Sequence, residues 1–127
     1  MKRWYYVEPI PVKRRPRVTK AGKVYTDPNT RADLERIRDS YDGAYYETEP
    51  LKLEIHVYSR LPHRPKCVIS EPFTVKPDVD NIAKCVMDGL QGKAFANDKQ
   101  IVMLIVWKRD RNLEIEGEFV TYSIEPL

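Results

Sequence analysis

Three aspartates and Lys84 crowd into the fifteen residues KPDVDNIAKCVMDGL, residues 76–90. Asp78 and Asp80 stand in a D-x-D pattern, Lys84 follows Asp80 by four residues, and Asp88 follows Lys84 by four. A little further on, AFANDKQIV places Asp98, preceded by Asn97, directly ahead of an apolar run. Two acids at this spacing and a third at a strand end can supply the oxygen ligands that Mg²⁺ or Mn²⁺ prefers. Such sites keep room for water and phosphate. A metal held there suits phosphodiester hydrolysis, because it generates hydroxide and neutralises developing charge. Lys84 could hold a phosphate oxygen or the attacking water.

A purely structural account competes with this one. An Asp at a helix N-cap stabilises the helix by about 1 kcal/mol. Asp80, Lys84 and Asp88 could form an exposed ion-pair ladder worth a few tenths of a kcal/mol per pair. Neither effect explains the doubled acids beside Pro77, nor Asp98. Other uses of D-x-D fit worse. An EF-hand loop starting at Asp78 wants Asp or Asn where Ile82 stands and Gly where Ala83 stands. A nucleotide-sugar transferase needs a donor and an acceptor site, for which 127 residues are few. Phosphate-binding and nucleophile-elbow glycine motifs are missing. His56 and His63 lack metal-ligand spacing and read as ordinary strand and loop residues.

The elements that must position these groups follow from periodicity. On a helical wheel of ~100° per residue, Val79, Ile82, Ala83, Val86 and Leu90 share one face, while Asp80, Lys84 and Asp88 line another. The pattern predicts a helix from about Val79 to Gln91, with Asp78 at the N-cap position and Gly92 as the C-cap. LKLEIHVYS, residues 51–59, alternates apolar and polar residues and predicts a strand. QIVMLIVWK predicts a strongly apolar strand, and FVTYSIE a final one. RWYYVEP predicts a first strand closed by prolines, followed by a basic loop or ribbon that turns at Gly22. DPNTRADLERIRDSYDGAYY predicts a helix, with Thr30 as its N-cap and Leu34, Ile37, Tyr41 and Tyr45 at helical spacing. Pro62, Pro65, Pro72 and Pro77 mark a long loop, and RDRNLEIEGE contains a turn. The order β, α, β, α, β, β predicts an α/β fold in which a mixed sheet packs with two main helices.

Composition bounds the rest. A length of 127 residues fits one domain, 1–127, and 42% hydrophobic residues suffice for a single core. No apolar run approaches the ~20 residues that span a bilayer. The N-terminus has no signal-peptide core, so the expected location is cytoplasmic. Cys67 and Cys85 are far apart, which argues against a zinc site or a disulfide framework, and Cys85 reads as a small apolar helix residue. The net charge of +3 is uneven. Residues 1–25 carry eight basic groups against Glu8 alone, and residues 109–127 carry two against five acids. Lys13, Arg14, Arg15, Arg17, Lys20 and Lys23 form the densest part. The block is either a polyanion contact or a solvated terminus.

Taken together, KPDVDNIAKCVMDGLQGKAFANDKQIV resembles the RusA family of Holliday junction resolvases. The resemblance rests on the D-x-D-N start, the lysine four residues on, the D-G-L piece and the acid ahead of a strand. PVKRRPRVTKAGKVYTDPNTRADLERI resembles the family's basic segment leading into its first helix. The resemblance implies a small mixed α/β homodimer that cleaves four-way DNA junctions with Mg²⁺ or Mn²⁺. It places the catalytic acids on Asp78, Asp80 and Asp98, which would hold the metal, and the catalytic lysine on Lys84. Asp88 and Asn97 take supporting roles. Some members have two adjacent acids before the strand; here the first is Asn97, which offers a carbonyl oxygen but one charge less. The basic residues from Lys13 to Lys23 would contact phosphates. A two-fold dimer would match the approximate two-fold symmetry of a junction. A nuclease for other branched DNA and a non-catalytic DNA-binding module are the alternatives, separable by substrate panel and by metal dependence.

Overall fold

The computed structural model describes residues 2–11, 17–25, 28–59, 78–110 and 118–127. Lys13, Arg14 and Arg15, the proline-rich stretch with His63 and Cys67, and the turn expected near residues 111–117 lie outside them. The chain order is β1 (Tyr5–Val7), β2 (Arg17–Val18), β3 (Val24–Tyr25), α1 (Pro28–Ser40), β4 (Leu51–Ser59), α2 (Val79–Leu90), β5 (Ile101–Asp110) and β6 (Phe119–Pro126). A single 3-10 turn, Asp98–Gln100, precedes β5.

Strict alternation makes β4 the central strand. Leu51, Leu53, Ile55 and Val57 are buried, and the residues between them are half-buried. Each buried aliphatic side chain contributes about 1.5–3 kcal/mol of transfer free energy. The sheet runs β1-β6-β4-β5. β4 pairs parallel with β5 and antiparallel with β6, so the expected mixed sheet is present. Parallel pairing of β4 and β5 needs a crossover, and α2 lies in that connection. The basic ribbon is a small hairpin of β2 and β3, closed where Gly22 N–H donates to Thr19 O at 2.9 Å and Thr19 N–H to Lys23 O at 2.8 Å.

The first helix differs from expectation at both ends. It begins at Pro28, so Thr30 lies buried inside the first turn and is not the N-cap. Proline suits the first helical position because its fixed φ matches the helix and its missing N–H would be unpaired there anyway. The helix stops at Ser40. Tyr41 is buried just past its end, and Tyr45 is exposed. Ser40 Oγ donates to Ile37 O and lies 2.7 Å from the buried Tyr122 hydroxyl, which ties α1 to β6.

The second helix buries Ile82, Ala83, Cys85, Val86, Gly89 and Leu90. Val79, expected on that face, is exposed in the first turn. The C-cap is Gln91, and Gly92 follows it with φ of +89°, the left-handed residue that commonly ends a helix. Gly89 is where the two helices meet. A Cβ there would stand 2.7 Å from Ile37 Cβ, so only glycine permits this approach. Arg38 Nε then donates to Gly89 O at 3.1 Å and gives a carbonyl of the last turn a cationic partner. Among the described residues, no helix is long and apolar enough to cross a membrane.

Candidate active site

The start of α2 presents Asp78, Asp80 and Lys84, all exposed. Asp78 occupies the N-cap position with extended backbone, yet its side chain makes no capping hydrogen bond. The expected ladder is not closed either: among the described residues Asp80 and Lys84, one turn apart, form no ion pair with each other. Among the described residues, then, Asp78 does not cap and Asp80 and Lys84 do not pair, and Asp80 keeps only the favourable place of an acid in the first turn. Asp88 is half-buried on the same helix and has a partner of its own.

Asp98 is the first residue of the 3-10 turn and is exposed. Its position is fixed by neighbours on both sides. Asn97 caps the turn, its Oδ1 accepting from Lys99 N–H at 3.0 Å. Gln100, buried, reaches back with Oε1 to accept from Ala96 N–H at 2.9 Å and Asn97 N–H at 3.0 Å. Its amide nitrogen donates to Tyr46 O at 3.1 Å and Glu49 O at 3.2 Å. One buried amide thus uses all four of its bonds to lock the turn onto the approach to β4. Tyr46 is in turn joined to Ala94 and Ala96 by backbone bonds, so the turn is anchored to the residues that follow the C-terminus of α2. A cleft of ≈ 590 Å³ opens beside it, lined by Glu47, Thr48, Ala96, Asn97, Lys99 and Gln100.

Gln100 was not among the residues singled out by their chemistry. The signal was present as N-D-K-Q, an Asn followed three residues later by Gln, which is the spacing of a capping box. Asn97, given a supporting role for its carbonyl oxygen, has that oxygen on a backbone N–H, with a second lone pair left over.

Asp78 and Asp80 open α2, while Asp98 belongs to the turn beyond its other end. A helix of this length spans about 18 Å. Among the described residues, no three histidine, cysteine, aspartate or glutamate side chains stand close enough to hold a metal ion. The donors fit a hard divalent cation in kind, being exposed carboxylates, but they are not gathered into one ligating group. Of the basic block, Lys20 and Lys23 are exposed on the β2–β3 hairpin.

A family model, Endodeoxyribonuclease RusA, matches residues 7–116 of the chain. That is most of its 127 residues, and the chain belongs to the RusA endodeoxyribonuclease family. The match spans the hairpin, both helices, β4, β5 and every candidate acid. No curated protein matches the chain.

Proposed function

We propose that this chain is a structure-selective endodeoxyribonuclease that resolves four-way DNA junctions by paired, symmetric nicks in recombination and repair. The observation that carries the reading is the family match together with Asp78, Asp80 and Lys84, whose side chains, among the described residues, neither cap nor brace the helix that bears them. Asp78, Asp80 and Asp98 stand apart at the two ends of α2 and would have to be brought together to hold Mg²⁺ or Mn²⁺. A divalent cation, when bound, supplies a reactive hydroxide at neutral pH and stabilises charge on the phosphate. Lys84 places a cation one turn from Asp80, where it would bind a phosphate oxygen and orient it. Asp88 would steer Lys84. Asn97 and Gln100 would act on Asp98 by holding its turn. Lys20, Lys23 and the neighbouring basic residues Lys13, Arg14, Arg15 and Arg17 would contact DNA phosphates. The protein would act in the cytoplasm as a homodimer, each copy cutting one of two symmetry-related strands.

A panel of labelled substrates tests the reading: four-way junction, three-way junction, flap and linear duplex, each with Mg²⁺, Mn²⁺ or EDTA. The expected result is metal-dependent paired nicking of the four-way junction in preference to the others. Equal cutting of flaps and three-way forms would assign a broader branched-DNA nuclease, and binding without nicking on any substrate would reduce the chain to a DNA-binding module.

A further inference from the structure

His56 lies on the half-buried face of β4, opposite the core, between Trp107 of β5 and Thr121 of β6. Both of its ring nitrogens are engaged. Arg109 Nε–H donates to Nδ1 at 3.2 Å, and Nε2 lies 2.7 Å from Glu54 Oε2. A guanidinium only donates, so Nδ1 must present its lone pair and the ring's one hydrogen must sit on Nε2, donating to Glu54. This pair of bonds requires a neutral imidazole. A second proton has one place to go, Nδ1, where it removes the acceptor and sets a cation against Arg109.

The surroundings leave Arg109 as the partner that must give way. The His56 side chain is only 14% exposed, so little water can mediate between the two cations. Lys2 binds Glu54 at 2.8 Å, and Lys52 stands 3.8 Å from Glu54 and 3.9 Å from Glu125 of β6. Tyr6, which bonds Glu8, follows in the same row on β1, and Tyr58 sits one row on along β4. Glu54, held down at about 2, stays ionised throughout the range in which histidine titrates and keeps its hold on Nε2–H. The Arg109 guanidinium lies 4.3 Å from the centre of the Trp107 ring, and Trp4 meets the His56 ring edge-on at 5.3 Å. These are the two tryptophans of the chain, so its intrinsic fluorescence reports on this cluster.

We infer that His56 is a proton-operated latch: the neutral ring holds Arg109 against the sheet, and the imidazolium releases it to meet an anion. Arginine is always charged and its planar fork suits a phosphate. The anion is a DNA phosphate, and this consequence alone rests on the preceding functional reading.

The test uses the full chain and His56→Gln, whose side-chain carbonyl can accept from Arg109 and whose amide can donate to Glu54 at any pH. Circular dichroism reports whether the variant folds. Heteronuclear NMR reads the His56 tautomer and the exchange of Arg109 Nε–H, relative to an exposed arginine, at about pH 8 and about pH 5.5, the span of histidine titration. Tryptophan emission and junction affinity in EDTA are recorded at the same two values. At the higher pH the ring hydrogen is expected on Nε2 with Arg109 Nε–H protected, and at the lower pH that protection is lost. Emission should respond to pH in the wild type and not in the variant. Junction affinity should rise on the order of tenfold more in the wild type, the size of one gained charge-assisted contact. A ring hydrogen on Nδ1 at the higher pH, equal Arg109 protection at both, or a variant that repeats the wild-type response would each overturn the latch. The wild-type NMR signals decide alone if the variant does not fold. A latch that opens in a protein that binds no junction counts against the nuclease and leaves the latch standing. A protein that nicks while Arg109 stays protected does the reverse.

Discussion

At the residue scale, the candidate acids at the start of α2 are side chains that make no cap and no mutual ion pair among the described residues. Asp78 illustrates it. An N-cap aspartate that accepts a backbone hydrogen bond costs about 1 kcal/mol to remove. Here that bond is not made, so Asp78→Asn is expected to change stability by under about 0.5 kcal/mol, the size of an ordinary surface substitution. The same variant, and Lys84→Ala, are expected to reduce nicking about a hundredfold or more, the usual cost of losing one preorganised charge-stabilising group. Urea titration beside a nicking assay separates the two effects. Loss of stability equal to that of a working cap would return Asp78 to a structural role. Glu54 is the opposite kind of residue. Lys2 donates to it at 2.8 Å and His56 Nε2 lies at 2.7 Å, and the two hold its carboxyl down at about 2. A depressed carboxylate contributes stability that is present above its ordinary value of 4.5 and is lost as pH falls toward 2. Urea midpoints at pH 7 and pH 3 should therefore drop for the wild type, and drop less for Glu54→Gln.

At the element scale, two contacts hold the elements that carry the candidate residues. Gly89 lets α2 approach Ile37 on α1. Gly89→Ala is expected to destabilise by about 1–3 kcal/mol through overpacking, read as a lowered melting temperature. Gln100 makes four bonds from a buried amide. Gln100→Ala would leave two amides and two carbonyls without that partner. It is expected to cost about 1–3 kcal/mol and to lower kcat on the junction through displacement of Asp98. Gln100→Glu would keep the two accepted bonds and lose the two donated ones, so it should fall between. Equal activity in all three proteins would detach Gln100 from the site. The strands and the second helix were legible in sequence because alternation in LKLEIHVYS and the i, i+3, i+4 pattern of Ile82, Ala83, Val86 are direct images of one buried face. The α1 start is ambiguous in sequence because Thr30 and Pro28 both carry helix-start signals, and proline takes the first helical position. Gln100 is hard to read from sequence because a short capping box carries no hydrophobic periodicity. The path of α2 relative to the turn at Asp98 is a tertiary fact, and residue spacing alone does not encode whether three acids meet.

At the scale of the whole molecule, family and charge distribution point the same way, to a DNA-cutting family with a basic N-terminal stretch. The net charge is small, but Lys20 and Lys23 are exposed on the hairpin and belong to the basic stretch that opens the chain. Each phosphate contact releases counterions, so junction affinity should fall linearly with log salt. The Lys20→Ala, Lys23→Ala double variant is expected to flatten that slope by about two units, one per lost phosphate contact. Unchanged slope would assign these lysines to solvent. The family match covers hairpin, helices and candidate acids together, and in the proposed function the exposed start of α2 would carry the nuclease chemistry. In the proposed nuclease, Asp80 would serve cleavage and not folding or binding. The most direct measurement compares wild type and Asp80→Asn on one labelled four-way junction, recording binding by mobility shift and nicking with Mg²⁺ or EDTA. The predicted result is equal junction affinity in the two proteins, paired nicks by the wild type with Mg²⁺ alone, and none by Asp80→Asn. Undiminished Mg²⁺-dependent nicking by the pure variant would contradict the account.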